Sequence, residues 1–195
     1  MSQLTARQKQ IVDATLDIIS TIGIQNLTIR KLAERVGVTE GAIYRHYPSK
    51  DEILVSIAEY FKAESTGILQ QIVESTGDSV QKIKTFFLGR CSQFQENHAL
   101  ALVLFSDDIF KGSGRVQTEI STTIHAHGQL LVKIISEGQA SGIIRGNVVP
   151  QHMFMMIMGA LRLLVTRWRA ADFQFDLLGE GEKLWTSIEA LVAAS

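Results

Sequence analysis

A chain of 195 residues, 46% hydrophobic and 20% charged, can bury a sizeable core, which excludes disorder as its dominant state. Its 19 basic residues stand against 20 acidic ones, and a net charge of −1 excludes attraction to a polyanion by the molecule as a whole. The single cysteine, Cys91, excludes an internal disulfide and a Cys-rich metal site. That usage points to a reducing compartment. Residues 1–10 are polar, without the apolar stretch of a signal peptide, and the longest apolar run, residues 153–161, stops at Arg162. A transmembrane span needs about 18 or more such residues, so no membrane association is expected and the cytoplasm is the expected location. Charge is unevenly placed: residues 1–50 carry Arg7, Lys9, Arg30, Lys31, Arg35, Arg45 and Lys50 against Asp13, Asp17, Glu34 and Glu40. The first quarter is therefore +3 and the remainder −4, the pattern of a polyanion-facing head on an acidic body.

Two prolines, Pro48 and Pro150, leave long helices free to form. Ile11, Ala14, Ile18, Ile19 and Ile22 recur at steps of three and four, predicting a first helix that ends at Gly23. Leu27, Leu32, Ala33 and Val36 predict a second, short helix capped by Thr28 and closed by Gly37. A third short segment runs over residues 39–44. Ser49 and Glu52 then form an S-x-x-E capping box behind Pro48, opening a long helix through Ile53, Ile57, Tyr60, Phe61, Ile68 and Ile72.

Beyond Gly77, the residues Val80, Ile83, Phe87, Cys91 and Phe94 line one face of the next helix. Residues 99–110 form a shorter apolar run that a Gly112-Ser113-Gly114 turn ends. Val116, Ile120, Ile124, His127, Leu131 and Ile134 make a long stripe that stops at residues 138–142. Pro150 or its neighbours open the following helix, and Asp176 is the expected cap of a last one striped by Leu177, Leu184, Trp185, Ile188 and Leu191. No β alternation of useful length exists, residues 143–149 being the one ambiguous piece. The expected fold is all-α with about nine helices.

Residues 27–47 read LTIRKLAERVGVTEGAIYRHY, two short helices meeting at Gly37, where glycine supplies the positive φ of a tight turn. This is the helix-turn-helix pattern, whose second helix lies in the DNA major groove. Ala33 allows close helix approach, and Val38 and Ile43 are placed to pack inward. The second helix then offers Thr39, Glu40, Gly41, Ala42, Tyr44, Arg45 and His46. Arg45 has the reach for a phosphate or a guanine, and Tyr44 and His46 suit phosphate oxygens.

Residues 9–55, centred on GVTEGAIYRHYPSKDEIL, resemble the amino-terminal DNA-binding domain of TetR/AcrR-type transcriptional regulators. The resemblance implies that Thr28, Tyr44, His46 and Lys50 hold phosphates and that Arg30, Thr39, Gly41, Ala42 and Arg45 face the groove. It further implies a division into a helix-turn-helix domain, residues 1–50, and a helical effector-binding and dimerisation domain, residues 51–195. Glu40 departs from the family, many of whose members carry a small or basic residue there. A carboxylate at that place either reads a cytosine amino group or repels phosphate.

In such regulators the carboxy-terminal body dimerises through its last two helices and encloses a small effector. The composition of residues 152–171 agrees, because a helix apolar nearly all round must be covered on both sides, and Gly159 and Ala160 permit a close helix crossing. Aromatic walls, adaptable methionines and few polar groups suit a mainly apolar effector, with Phe86, Arg90, Phe94, Phe105, His127, Met155, Met158 and Arg162 as the pocket candidates. The bland readings are a packed core for the aromatics, a hydrogen-bonded core histidine for His127, and surface or interface salt bridges for Arg90 and Arg162. His125 and His127, two apart on a helix, cannot clip one metal, and no metal-ligand spacing or cofactor motif occurs.

The reading is a DNA-binding regulator, a repressor that a small effector releases from a palindromic operator on double-stranded DNA. The alternatives are a helical ligand- or partner-binding dimer with a vestigial DNA head and, below that, an enzyme. Against an enzyme stands the absence of a nucleophile–base pair or phosphate loop from the sequence; G-S-G at 112–114 lacks its lysine.

Overall fold

A computed structural model describes residues 4–105 and 114–194. Within them lie nine α-helices and no named strand: α1 Ala6–Ile22, α2 Ile29–Val36, α3 Glu40–Tyr44, α4 Lys50–Glu74, α5 Ser79–Glu96, α6 His98–Leu104, α7 Gly114–Ala140, α8 Pro150–Ala170 and α9 Leu177–Val192. A 3-10 turn, Ile24–Asn26, follows α1. The expected all-α fold is the one observed. Gly112, Ser113 and Phe110 lie outside the described residues.

The chain forms two compact units, one of Met1–Lys62 with His98–Ser121 and one of Ala63–Asn97 with Thr122–Ser195. Helices α4 and α7 each contribute residues to both.

In the first unit, α1 opens on a capping box that the apolar pattern did not disclose. The Gln8 amide donates to Thr5 Oγ1 at 3.2 Å and the Thr5 amide donates to Gln8 Oε1 at 3.0 Å. The buried face of α1 is Ile11, Val12, Thr15, Ile18 and Ile19, while Ile22 is 42% exposed. Thr15 is tolerated inside because its hydroxyl donates to the Ile11 carbonyl at 2.8 Å. At α4 only half of the expected box forms: the Glu52 amide donates to Ser49 Oγ at 3.2 Å, and the Glu52 carboxylate is taken by Arg115 of α7. Lys62 and Glu119, 3.3 Å apart, make a second ion pair between the same two helices.

In the second unit, α5 packs on α9 so closely that a Cβ on Gly181 would stand 2.7 Å from Cys91 Sγ. Val80, Ile83, Phe87, Cys91 and Phe94 are buried as the spacing predicts, joined by Phe86 and Arg90. Two stripes shift by one residue. On α7 Thr123 is buried and Ile124 is 47% exposed, and on α9 Val192 is buried and Leu191 is 67% exposed. Polarity does not mark these faces: Thr123 is buried although polar, and Leu191 and Val192 are both apolar. Asp176 is the N-cap residue of α9, but its side chain makes no capping hydrogen bond. Residues 143–149 resolve into a clasp: Ile144 forms an isolated antiparallel bridge with Ala193, and the Arg145 guanidinium donates to the carbonyls of Ala190 and Ala193, each at 3.2 Å.

Candidate DNA interface and effector core

The helix-turn-helix is built by caps. Thr28 caps α2, its Oγ1 accepting from the Lys31 amide at 3.2 Å, and Gly37 ends α2 in the left-handed region at φ +75°. Thr39 caps α3 in the same way, accepting from the Ala42 amide at 3.2 Å. Both hydroxyls use their oxygen internally and keep their hydrogen for an outside acceptor. Ala33 and Ile43 are buried and hold α2 and α3 on the unit, while Val38 is half-buried.

The outer side of this element carries the candidate residues. Thr28, Arg30, Thr39, Gly41, Tyr44, Arg45 and His46 are exposed, and Ala42 and Lys50 are half-buried. Several cations are already engaged: Arg30 Nε donates to Glu34 at 3.0 Å, Arg35 pairs with Asp17, and Lys31 Nζ donates to the Asn26 carbonyl at 3.2 Å. Among the described residues, Arg45 and Lys50 form no ion pair. Two unpaired cations beside two capped helix starts make a surface suited to phosphate.

Sequence reasoning missed the residue that fixes the end of this element. Tyr47 is buried and its hydroxyl lies 3.1 Å from Ser56 Oγ on α4. Burial pushes its phenol above the ordinary range, so it stays neutral and locks the segment carrying Arg45 and His46 onto α4. The signal was an aromatic directly before a proline and nine residues ahead of a serine inside an apolar stripe.

Gly41 is glycine without a structural need. Its φ is not positive, and a Cβ there would meet only Thr39 Oγ1 at 4.0 Å. An alanine would fit and would favour the helix.

The second unit contains a buried polar group on three helices. His127 of α7 and Ser65 of α4 are closed to solvent, with Nε2 and Oγ 3.0 Å apart. The His127 ring meets Phe86 edge-on at 5.5 Å, and the Arg90 guanidinium carbon stands 5.4 Å from the Phe86 centroid. Burial lowers Arg90 to about 10 against the opposing pull of Glu64, so it is charged at neutral pH. Burial, reinforced by the Arg90 charge, lowers His127 to about 4 and keeps it neutral.

Of the pocket candidates, Phe86, Arg90, Phe94 and His127 are buried in this unit, and Met158 is half-buried. The surface reading of Arg90 is thereby overturned, because its guanidinium lies over an internal aromatic ring. Met155 and Arg162 are exposed on α8, and Phe105 belongs to the first unit. Burial drives the Cys91 thiol up to about 12, which leaves it protonated. Among the described residues no cluster of His, Cys, Asp or Glu is placed to hold a metal ion, and no helix is long and apolar enough to cross a membrane.

A capped helix-turn-helix ahead of a larger helical unit defines a class, and comparison with known proteins agrees. The family model of bacterial regulatory proteins of the tetR family matches residues 11–57, and that of the YsiA-like carboxy-terminal region matches residues 62–192. The chain belongs to the tetR family of bacterial regulatory proteins; it is a DNA-binding transcriptional regulator. It is 24% identical over 178 residues to the fatty acid metabolism regulator protein of Bacillus subtilis, spanning 91% of each chain. It is 22% identical over 192 residues to the nucleoid occlusion factor SlmA of Vibrio campbellii, spanning 98% of each. The crystal structure of the transcriptional regulator FadR of Bacillus subtilis in complex with stearoyl-CoA shares its fold, with a TM-score of 0.82, 22% identity, and coverage of 92% of this chain and 96% of that one.

Proposed function

We propose that the chain acts as a homodimeric repressor that grips a palindromic operator through residues 1–50 and is released when a small, mainly apolar effector binds within residues 51–195. The observation that carries the DNA part is the outer face of α3, where Thr39, Gly41, Tyr44 and Arg45 are exposed while Ile43 anchors the helix. Arg45 and Lys50, unpaired among the described residues, weigh against a vestigial head. Two such helices in a dimer would enter successive major grooves about 34–36 Å apart.

Dimerisation through α8 and α9 is supported by the exposed stripe Met155, Met156, Gly159, Leu163 on α8 and Leu191 on α9. A Cβ at Gly159 would meet nothing within 4 Å, so the subunit itself does not require glycine there. An apolar stripe with a bare glycine at its centre suits a close crossing with a second copy.

The effector reading rests on Phe86, Phe94 and the charged Arg90 buried beside neutral His127, surroundings that favour an apolar molecule with an anionic or hydrogen-bonding end. The relative solved with stearoyl-CoA makes a long-chain acyl thioester the first compound to try. Because α4 and α7 each run through both units, a ligand that favours one conformation of the second unit has continuous helices through which to bias the first. Stearoyl-CoA titrated into the operator complex tests this directly. Release at a stoichiometry of one ligand per chain supports the reading, and unchanged DNA affinity for stearoyl-CoA and for a panel of apolar acids overturns the effector part.

A further inference from the structure

Glu40 is the first residue of α3, exposed and set directly after the Thr39 cap. Three other acids near this motif, Asp17, Glu34 and Glu52, each hold an arginine. Among the described residues Glu40 holds none. A free carboxylate on a surface meant for phosphates lowers affinity for every DNA sequence, so its presence needs a compensating role. Its neighbour indicates the role. Gly41 lacks a side chain that neither its φ nor the packing of the chain forbids, and glycine disfavours so short a helix. The bare surface therefore serves something outside the chain that must come close, and Ala42 beside it is nearly as small.

We propose that Glu40 is a specificity-determining residue that reads a cytosine at one position in each operator half-site. This rests on the DNA-binding reading above and adds the identity of a base. With the first turn of α3 seated against the groove floor by Gly41, a Glu40 carboxylate oxygen accepts a hydrogen bond from the cytosine N4 amino group. Guanine offers only the acceptors O6 and N7 at that edge and thymine offers O4, so both repel the carboxylate; adenine offers one donor beside one acceptor. The preference expected is cytosine first, adenine second, guanine and thymine last.

Removing such a residue has a signature that no phosphate contact shares. Glu40→Ala should lose discrimination at one base pair while binding unrelated DNA more tightly. The experiment is selection of duplexes from a randomised pool by the full chain and by its Glu40→Gln and Glu40→Ala variants, followed by titration of single duplexes at fixed salt. Both variants are exposed substitutions, and Glu40→Gln keeps the side-chain shape if Glu40→Ala disturbs the cap. The wild type is expected to select cytosine at one place in each half-site, with a penalty of about tenfold or more for replacing it, within the range of a good base contact. In Glu40→Ala that penalty should fall to about twofold or less, and in Glu40→Gln, whose amide both donates and accepts, the preference should move from cytosine toward adenine, with the other positions retained in both. An unchanged cytosine preference overturns the role of Glu40 alone. So does a uniform gain in affinity with the sequence preference intact, which would mean that the carboxylate only repels phosphate. A wild-type chain that selects no sequence overturns the DNA-binding reading, and the role of Glu40 falls with it.

Discussion

Ser65 Oγ and His127 Nε2 share a hydrogen bond of 3.0 Å inside the second unit, joining α4 to α7 where neither side chain meets solvent. Because His127 is depressed to about 4 from an ordinary 6.5, the unfolded chain binds a proton between those values that the folded chain does not. Stability is therefore full above pH 6.5 and declines as pH falls toward 4. The decline due to this one group is at most on the order of 3 kcal/mol. Urea unfolding from pH 7.5 to 4.5, compared with His127→Gln, checks it: the variant should show a shallower loss with acid. Equal slopes would place the titrating group elsewhere.

The phosphate contacts give a second test. Lys50→Ala and Tyr44→Phe should each weaken binding to all sequences alike, and Lys50→Ala should reduce the slope of log affinity against log salt by about one. Arg30→Ala should do less, since Arg30 is bound to Glu34 before DNA arrives. An unchanged salt slope for Lys50→Ala removes that residue from the interface.

Gly41→Ala separates fold from function. The chain has room for the methyl group, so the variant should be as stable as the wild type or more stable, by up to about 1 kcal/mol. DNA affinity should nevertheless fall, because the methyl group occupies the space that the groove needs. Thermal melting and an anisotropy titration measure the two effects independently.

Interface and core are distinguished by a pair of charges. Leu163 is 62% exposed in the single chain, so Leu163→Glu should leave the subunit folded and break the dimer. Ile188 is buried within the subunit, so Ile188→Glu should unfold it, burying an unpaired charge at a cost of several kcal/mol. Analytical ultracentrifugation with circular dichroism reads both. A wild-type monomer at micromolar concentration would contradict the dimeric arrangement.

Much of the head was legible because its signals are local. Thr28, Gly37 and Thr39 act through hydrogen bonds to residues three or four positions away, and a sequence displays such spacings directly. What stayed hidden depends on distant partners. Nothing near Glu52 in sequence announces that it turns from its cap to Arg115, and the four-residue spacing of Phe86 and Arg90 puts them on one helix face without showing that this face is buried. Met155 and Arg162 lie on a helix apolar nearly all round, where composition does not say which side meets the core and which stays open. The clasp between residues 144 and 193 joins segments too far apart, and too short, to leave a periodic trace.

The most direct test of the central claim is an anisotropy titration of the full chain on an operator recovered by selection and on a scrambled duplex of the same length, at one fixed salt concentration. The account predicts two chains per operator and an affinity at least about 1,000-fold tighter than for the scrambled duplex. Equal affinity for the two duplexes, or one chain bound per operator, would contradict it.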